Sequence, residues 1–158
     1  MGELYQLLYP MRVVLITSKH GEKENVMTAA WCYPLSVDPP LFGVSVSRKR
    51  FSYGLISKGK AFGINLVDKS MQKAILGAGN TSGMDVDKFV KFNLKKEYGK
   101  LGIPLLKDSP ISAECKLIKE IDIGDHVLFV GEIVNTVKRR MSKGLYDIGK
   151  EEDEFIEI

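Results

Sequence analysis

The chain has few of the side chains that build metal centres and disulfide frameworks: its 158 residues include two cysteines and two histidines. Cys32 and Cys115 both lie inside apolar, strand-like segments, and no CxxC or Cys/His ligand spacing occurs. Neither a disulfide scaffold nor a zinc site is indicated, and both thiols read as core packing. No apolar run approaches the ~20 residues needed to cross a bilayer. Residues 1–10 hold no basic stretch followed by a continuous apolar one, so the expected location is cytoplasmic and no membrane partner is expected. Charge of one sign is also missing. With 23 basic against 20 acidic side chains and a net charge of +3, the chain lacks the footprint of a dedicated nucleic-acid binder. No Ser/His/Asp set, paired carboxylates, internal repeat or low-complexity stretch stands out.

What is present is the composition of one globular domain: 44% hydrophobic and 27% charged residues, in a length that encloses a single core and leaves no room for a second. Residues 4–9 form a short segment able to cross the domain. The β-branched run RVVLITS, residues 12–18, reads as a buried strand. His20 with residues 21–23 supplies a polar turn, and residues 25–33 and 41–47 read as further strands. The breaker VDPP, residues 37–40, separates them, since no helix continues through Pro39 and Pro40. Ser52 as N-cap and Gly59 as stop bound a short helix with Leu55 and Ile56 on its apolar face.

Residues 61–67 return to strand, 70–76 form a second helix, the glycine-rich 77–83 is a loop, and 87–92 add a helical turn. Residues 111–121 and 126–138 are long strands joined by the turn DIGD, residues 122–125, and pair as an antiparallel hairpin. The acidic residues 151–154 read as a solvated terminus. Many strands, frequent turns and only short helices predict a mainly β fold, a closed or nearly closed antiparallel barrel rather than a doubly wound parallel sheet.

Two segments carry candidate chemistry. In SVSRKRFS, residues 45–52, a strand ends in hydroxyls and three consecutive cations just before a helix start. Free first-turn N–H groups and the positive end of the helix dipole attract an anion there, and Arg48, Lys49 or Arg50 can neutralise it. A solvated basic loop with an ordinary serine cap accounts for the same residues. In NVMTAAW, residues 25–31, small side chains stand where a strand surface expects larger ones. That lets backbone and Thr28 approach a flat ligand, although the close packing of two barrel strands accounts for them without one. The 77–83 loop lacks GxGxxG spacing and a preceding strand, so it is not assigned to a dinucleotide.

Taken in order, NVMTAAW (25–31), LSVDPPLFGVSVS (35–47), the helix start at Ser52 with Ile56, KAFGINL (60–66), SGMDVDKF (82–89) and GDHVLFVGEI (124–133) resemble the flavin reductase-like family. The resemblance covers most of the chain and implies a mainly β, antiparallel FMN-binding split β-barrel with a few short helices. It places the flavin ring against Met27, Thr28, Ala29 and Ala30, and the ribityl phosphate near Ser45, Ser47, Arg48, Lys49 and Ser52, with Val46 among the cofactor-binding positions. Ser52 stands where the family often has threonine and keeps the hydroxyl.

Asp87 and Lys88 match an acidic-lysine-Phe element, which brings Lys88 to the phosphate or flavin edge or else closes a loop by an ion pair. His126, in the family's Gly-Asp-His motif, is implied to face the flavin and to position a nicotinamide or tune the ring, roles that suit a group titrating near neutral pH. The same residues also read as a turn histidine bonded to Asp125. His20 matches no motif and reads as a surface turn residue.

By resemblance the chain binds FMN in preference to FAD and works as an NAD(P)H-dependent flavin or ferric reductase, with NADH or NADPH as electron donor. A flavoredoxin-like carrier fed by a protein partner is the alternative, and a homodimer with the flavin near the interface is implied. A different class, a nucleotide- or RNA-binding module, would use the clusters Arg48 to Arg50 and Arg139 with Arg140, but few aromatics accompany them to stack bases.

Overall fold

The structure, a computed structural model, describes residues 3–149 and 155–158; the acidic segment 151–154 lies outside them. After a 3-10 turn over Leu4–Leu8 and a two-residue β1 (Met11–Arg12), the chain enters β2 (Val14–His20). There Val13, Val14, Leu15 and Ile16 are all buried. A strand apolar on both faces must be covered on both, and this one divides the molecule. Val14 and Ile16 point into a cluster with Met27, Val44, Phe62, Cys115 and Phe129. Val13 and Leu15 point outward into a second cluster with Val67, Ile75, Phe89 and Leu106.

β3 (Lys23–Ala29), β4 (Cys32–Ser36), β5 (Leu41–Ser47), α1 (Phe51–Gly59) and β6 (Ala61–Leu66) follow. A 3-10 turn at Lys69–Met71 leads into α2 (Gln72–Asn80), then α3 (Lys88–Lys91), β7 (Lys96–Tyr98) and β8 (Pro104–Leu106). The hairpin of β9 (Ile111–Ile123) and β10 (His126–Lys138) precedes β11 (Leu145–Asp147) and β12 (Phe155–Glu157). Among the described residues no helix is long and apolar enough to cross a membrane.

The main sheet has seven antiparallel strands in the order β3-β2-β6-β9-β10-β5-β4. β3 and β4 are its two edges, yet only Ala30 and Trp31 join them. Seven flat strands would hold the edges about 29 Å apart at ~4.8 Å per spacing, whereas the three virtual bonds from Ala29 to Cys32 reach at most ~11 Å. The sheet must therefore roll into a barrel. No ladder joins β3 to β4, so the barrel is split; the bond from the Ser45 N–H to the Trp31 carbonyl (3.0 Å) continues the β4–β5 pairing by one residue toward the gap.

Two buried polar side chains tie this barrel together. Asn65, fully buried, donates to the Leu15 carbonyl and Thr17 Oγ1 (both 3.1 Å) and accepts from the Leu106 N–H (2.9 Å) and Ser112 Oγ (2.8 Å). One side chain thereby links β2, β6, β8 and β9. Buried Glu114 accepts from the N–H groups of Lys100 and Leu101 (both 2.8 Å) and from Asn135 Nδ2 (2.7 Å).

The mainly β antiparallel architecture with short helices is as expected, and Cys32 and Cys115 belong to the barrel core. Burial pushes the Cys32 thiol up to about 12 and raises that of Cys115 further, so both stay protonated. Several local expectations are corrected. The strand expected over 25–33 breaks at Ala30, because the chain there crosses from one edge to the other. His20 ends β2, and Gly21 and Glu22 make the turn. The 77–83 loop is helical as far as Asn80: α2 is held by its docking on β3 and by Phe92, whose ring packs where a Gly77 Cβ would stand, and packing overrides glycine's poor helix propensity.

Ser52 is not the N-cap of α1. Arg50 occupies that position without a side-chain cap, and Ser52 lies in the first turn, fully buried, its hydroxyl accepting from Asn25 Nδ2 at 2.9 Å. The left-handed residue at the end of α1 is Lys60, with φ 59°. Gly59 is required for a different reason: a Cβ there would fall 2.1 Å from the Lys19 carbonyl oxygen, whereas one at Gly54 in the same helix meets nothing within 4 Å.

The same substitution therefore has opposite signs within one helix. Gly54→Ala should raise stability by about 0.5–1 kcal/mol, and Gly59→Ala should lower it by about 1–3 kcal/mol through overpacking against fixed backbone. Urea midpoints of the two variants, one above and one below the unaltered chain, check both.

Candidate functional site

Where the barrel is split, a cavity of about 850 Å³ opens between the end of β3 and the end of β5. Its walls come from both sides of the gap. Met27, Thr28, Ala29, Ala30 and Trp31 supply one, and Ser45, Val46 and Ser47 the other, continued by Lys49 and Arg50 at the start of α1. His126 pairs across the ladder with Ser47, and Ile75, Leu76, Gly79 and Asn80 of α2 close the third side.

A smaller lobe of about 210 Å³ adjoins it and shares Met27, Thr28, Lys49, Arg50, Gly79 and Asn80 with the larger space. Asn25, Phe51, Thr81, Ser82, Gly83 and Lys88 complete the lobe. Lys88 is 4% exposed and donates from Nζ to the Ala78 carbonyl at 2.8 Å. Burial first, and the like charge of Arg50 second, push its pKa down to about 8. Among the described residues neither Lys88 nor Arg50 has a carboxylate partner within ion-pair distance. Two cations forced together beside the first-turn N–H groups of α1 leave an unbalanced positive field, which an anion would relieve.

The larger cavity has a different character. Ala29 and Ala30 leave the strand edge bare. The Thr28 hydroxyl already donates to the Ile75 carbonyl (2.5 Å), so its lone pairs serve as an acceptor. The Trp31 ring lies 4.9 Å from that of His126, tilted by 39°, and Tyr5 meets Trp31 edge-on at 5.5 Å. His126 Nδ1 donates to Asp125 Oδ1 at 2.7 Å, and that bond holds the Asp125 carboxyl below its ordinary range. With Nδ1 so engaged, Nε2 is the nitrogen left for a ligand. The histidine thus bonds a turn carboxylate and lines the cavity at once, and the two readings of it are compatible.

Most of the residues singled out in the sequence are brought together here: Met27, Thr28, Ala29, Ala30, Ser45, Val46, Ser47, Lys49 and His126 line the cavity, and Lys88 lines the lobe. Two stand apart. Arg48 turns outward to an ion pair with Asp122, and the Ser52 hydroxyl is spent on Asn25. Arg50, the third cation of the run, takes the inward position, because Ser47 and Arg50 form the tight turn into α1 (Arg50 N–H to Ser47 carbonyl, 3.0 Å).

Of the two readings of Asp87 and Lys88, the loop-closing ion pair is not formed, and Asp87 instead caps α3, accepting from the N–H groups of Phe89 (2.9 Å) and Val90 (3.2 Å). Sequence reasoning missed Trp31, Asn80, Tyr5, Tyr9 and Phe155 as cavity residues. Of these only Trp31 carried a signal, as the one tryptophan at the end of a stretch of small residues. Arg139 and Arg140 are committed to ion pairs with Glu97 and Asp68, which leaves no free basic cluster there for a nucleic acid. A volume within the ~300–1,000 Å³ usual for ligand sites, a flat wall and a basic lobe at one end fit a planar polycyclic ring carrying a phosphate.

The comparisons agree with this geometry. The family model for the flavin reductase like domain matches residues 5–151. An uncharacterized protein of Archaeoglobus fulgidus is 38% identical over 84% of this chain and 75% of its own length. A ferric-chelate reductase (NAD(P)H) of the same organism is 26% identical over 83% of this chain and 76% of its own. An FMN-binding protein from Thermus thermophilus, crystallised with p-hydroxybenzaldehyde, superposes with a TM-score of 0.88 at 30% identity, covering 99% of this chain and 92% of that one. The split antiparallel barrel and the match over most of its length place this chain in the flavin reductase like domain family.

Proposed function

We propose that this chain binds FMN and acts as a cytoplasmic NAD(P)H-dependent reductase of free flavin or ferric complexes. The observation that carries the reading is the lobe where Arg50 and buried Lys88 face one another without a carboxylate, opening into a flat-walled cavity. When bound, FMN supplies the redox chemistry, taking up hydride from the nicotinamide and releasing electrons to the acceptor. Arg50 and Lys88 would neutralise the phosphate in the lobe, and the first-turn amides of α1 would donate to its oxygens, with Ser45 and Ser47 lining the adjoining cavity. The bare edge at Met27, Thr28, Ala29 and Ala30 lets main-chain groups meet the polar rim of the ring. His126, held by Asp125 and stacked on Trp31, presents Nε2 toward the site and positions the nicotinamide.

The exposed apolar side chains Leu4, Leu7 and Leu8, with Tyr33, Leu35 and Val37, fit a homodimer in which a second copy covers the open side of the cleft. No general base is required, because hydride transfer leaves no proton for the protein to abstract.

Arg50→Ala should weaken FMN binding by about 10- to 100-fold, the loss expected for a charged hydrogen bond, and leave riboflavin binding within about threefold. Arg48→Ala, whose side chain pairs with Asp122, should leave both nearly unchanged. Titrations followed by Trp31 fluorescence check this, and equal losses for FMN and riboflavin would remove the phosphate assignment.

The Lys88 ammonium gives the same site a pH signature. Its pKa in the free protein is lowered to about 8, and a bound anion raises it. The protonated form binds better, so the advantage of FMN over riboflavin is fully present below pH 8 and shrinks as pH rises above 8. Lys88→Met should flatten that profile between pH 7 and 9.5.

The reductase reading is tested by the visible spectrum of the purified protein under anaerobic NADH and NADPH. Flavin bands that bleach support it. Bands that persist favour a carrier reduced by a protein partner, and no bands, even with added FMN, would sink both.

A further inference from the structure

The cavity's two ends differ in make-up. Lys49, Arg50 and Lys88 mark one. Tyr5, Tyr9, Val13, Asp147 and Phe155 line the large cavity, and none of them lines the basic lobe. This far end is built from both termini of the chain. β1, β11 and β12 form a separate three-stranded sheet in the order β1-β11-β12, with Met11 opposite Asp147 and Asp147 opposite Phe155. Gly144 and Ile158 exchange a reciprocal pair of main-chain bonds (2.9 and 3.0 Å) that fixes β12 to β11.

Gly149, at φ +72°, lets the chain pass over Tyr9, where a Cβ would stand 2.7 Å from the ring. Tyr5, Tyr9 and Trp31 form a chain of edge-on contacts at 6.2 and 5.5 Å. Phe155 also packs against the outer core cluster, so its position is anchored. Tyr5, Tyr9 and Asp147 lie within the match to the family domain, whereas Phe155 on β12 lies just beyond its end at residue 151.

The order of residues along the β3 side says what the wall faces. Met27 and Thr28 line both spaces, while Ala29, Ala30 and Trp31 line only the larger. The three residue steps from Thr28 to Trp31 span at most about 11 Å, comparable with the length of a fused ring system whose phosphate would sit in the lobe. Tyr5, whose ring meets Trp31, and Phe155 with Tyr9 line the cavity away from the lobe.

We propose that Phe155 is a specificity-determining residue, a flat apolar face against which the nicotinamide of the electron donor stacks. The inference rests on the FMN reading of the site. It commits the second ligand to a planar heteroaromatic ring, and it places that selectivity on the β12 segment.

The test uses the full chain loaded with FMN and the variants Phe155→Ala, Phe155→Leu and Phe155→Tyr. Three quantities are measured: FMN affinity by quenching of Trp31, NAD⁺ affinity by calorimetry, and steady-state constants for NADH. Phe155→Ala should leave FMN affinity within about twofold, raise the NAD⁺ dissociation constant and the KM for NADH about five- to tenfold, and keep kcat within about twofold. Phe155→Tyr, which keeps the ring, should behave like the unaltered chain. Phe155→Leu keeps the packing against the outer core and removes the flat face, so it carries the test if Phe155→Ala fails to fold.

FMN affinity that falls in step with NAD⁺ affinity would overturn the inference by assigning Phe155 to the cofactor. So would unchanged NAD⁺ affinity in Phe155→Leu, or no NAD⁺ binding by the unaltered holoprotein; both leave the FMN reading standing. Failure of the unaltered chain to bind FMN would remove both.

Discussion

The two-residue crossing at Ala30 and Trp31 is the constraint on which the rest of this molecule depends. It joins the edges of a seven-stranded sheet and so forces the roll of the barrel, but no ladder pairs those edges with each other. Two walls of the cavity sit along that gap. Ala29, Ala30 and Trp31 are at the crossing itself, Ser45 and Ser47 face them from β5, and His126 is carried in by its register with Ser47. A fully closed barrel of the same strands would fill its seam with ladder hydrogen bonds and have no cleft.

The gap would collapse or hydrate if the elements around it were not fixed independently. β2, buried on both faces, ties the barrel interior to the outer cluster, and α2 docks on the outside of β3 through that cluster. The Thr28 hydroxyl bonded to the Ile75 carbonyl joins the helix to the wall at the cavity itself. Lys88, bonded to the last turn of α2 through Ala78, cannot retreat into solvent to relieve its repulsion with Arg50. A surface lysine would have done so, and the basic lobe exists only because the ammonium is tethered where desolvation disfavours it.

How much of this was legible in the sequence depended on the range of the interaction concerned. Strands whose burial is decided locally, such as 41–47 and the long hairpin with its Gly124 turn, were readable from alternation and turn residues. The wall residues Met27 to Ala30 and Ser45 to Ser47 were visible as runs of small and hydroxyl side chains, and the order of motifs along the chain supplied the family.

What did not show were consequences of long-range packing. Nothing in RKR says that Arg50 turns inward while Arg48 reaches Asp122 on β9. The serine that looks like a cap is spent on Asn25, 27 residues away. Glycines 77 and 79 read as a loop because their helix is stabilised by Phe92 and Thr28 rather than by propensity. Tyr5, Tyr9 and Phe155 gave no signal, since only the sheet of β1, β11 and β12 brings them to the site.

The distribution of charge along the cleft also decides how a ligand can lie in it. Lys49, Arg50 and Lys88 stand at the lobe end, with Asp125 bonded to His126 within electrostatic reach of Lys49, whereas Glu3 and Asp147 line the rest of the large cavity. A phosphorylated ring entering phosphate first gains from the cations and from the N-terminus of α1. Entering the other way, it would set its anion among carboxylates at the rim, in a partly desolvated space where like charges repel more strongly than in water. For such a ring, electrostatics favours the phosphate-first orientation before any contact with the ring is made. The aromatic mouth, which offers no donor to a phosphate beyond tyrosine hydroxyls, is left free to receive a second, flat molecule.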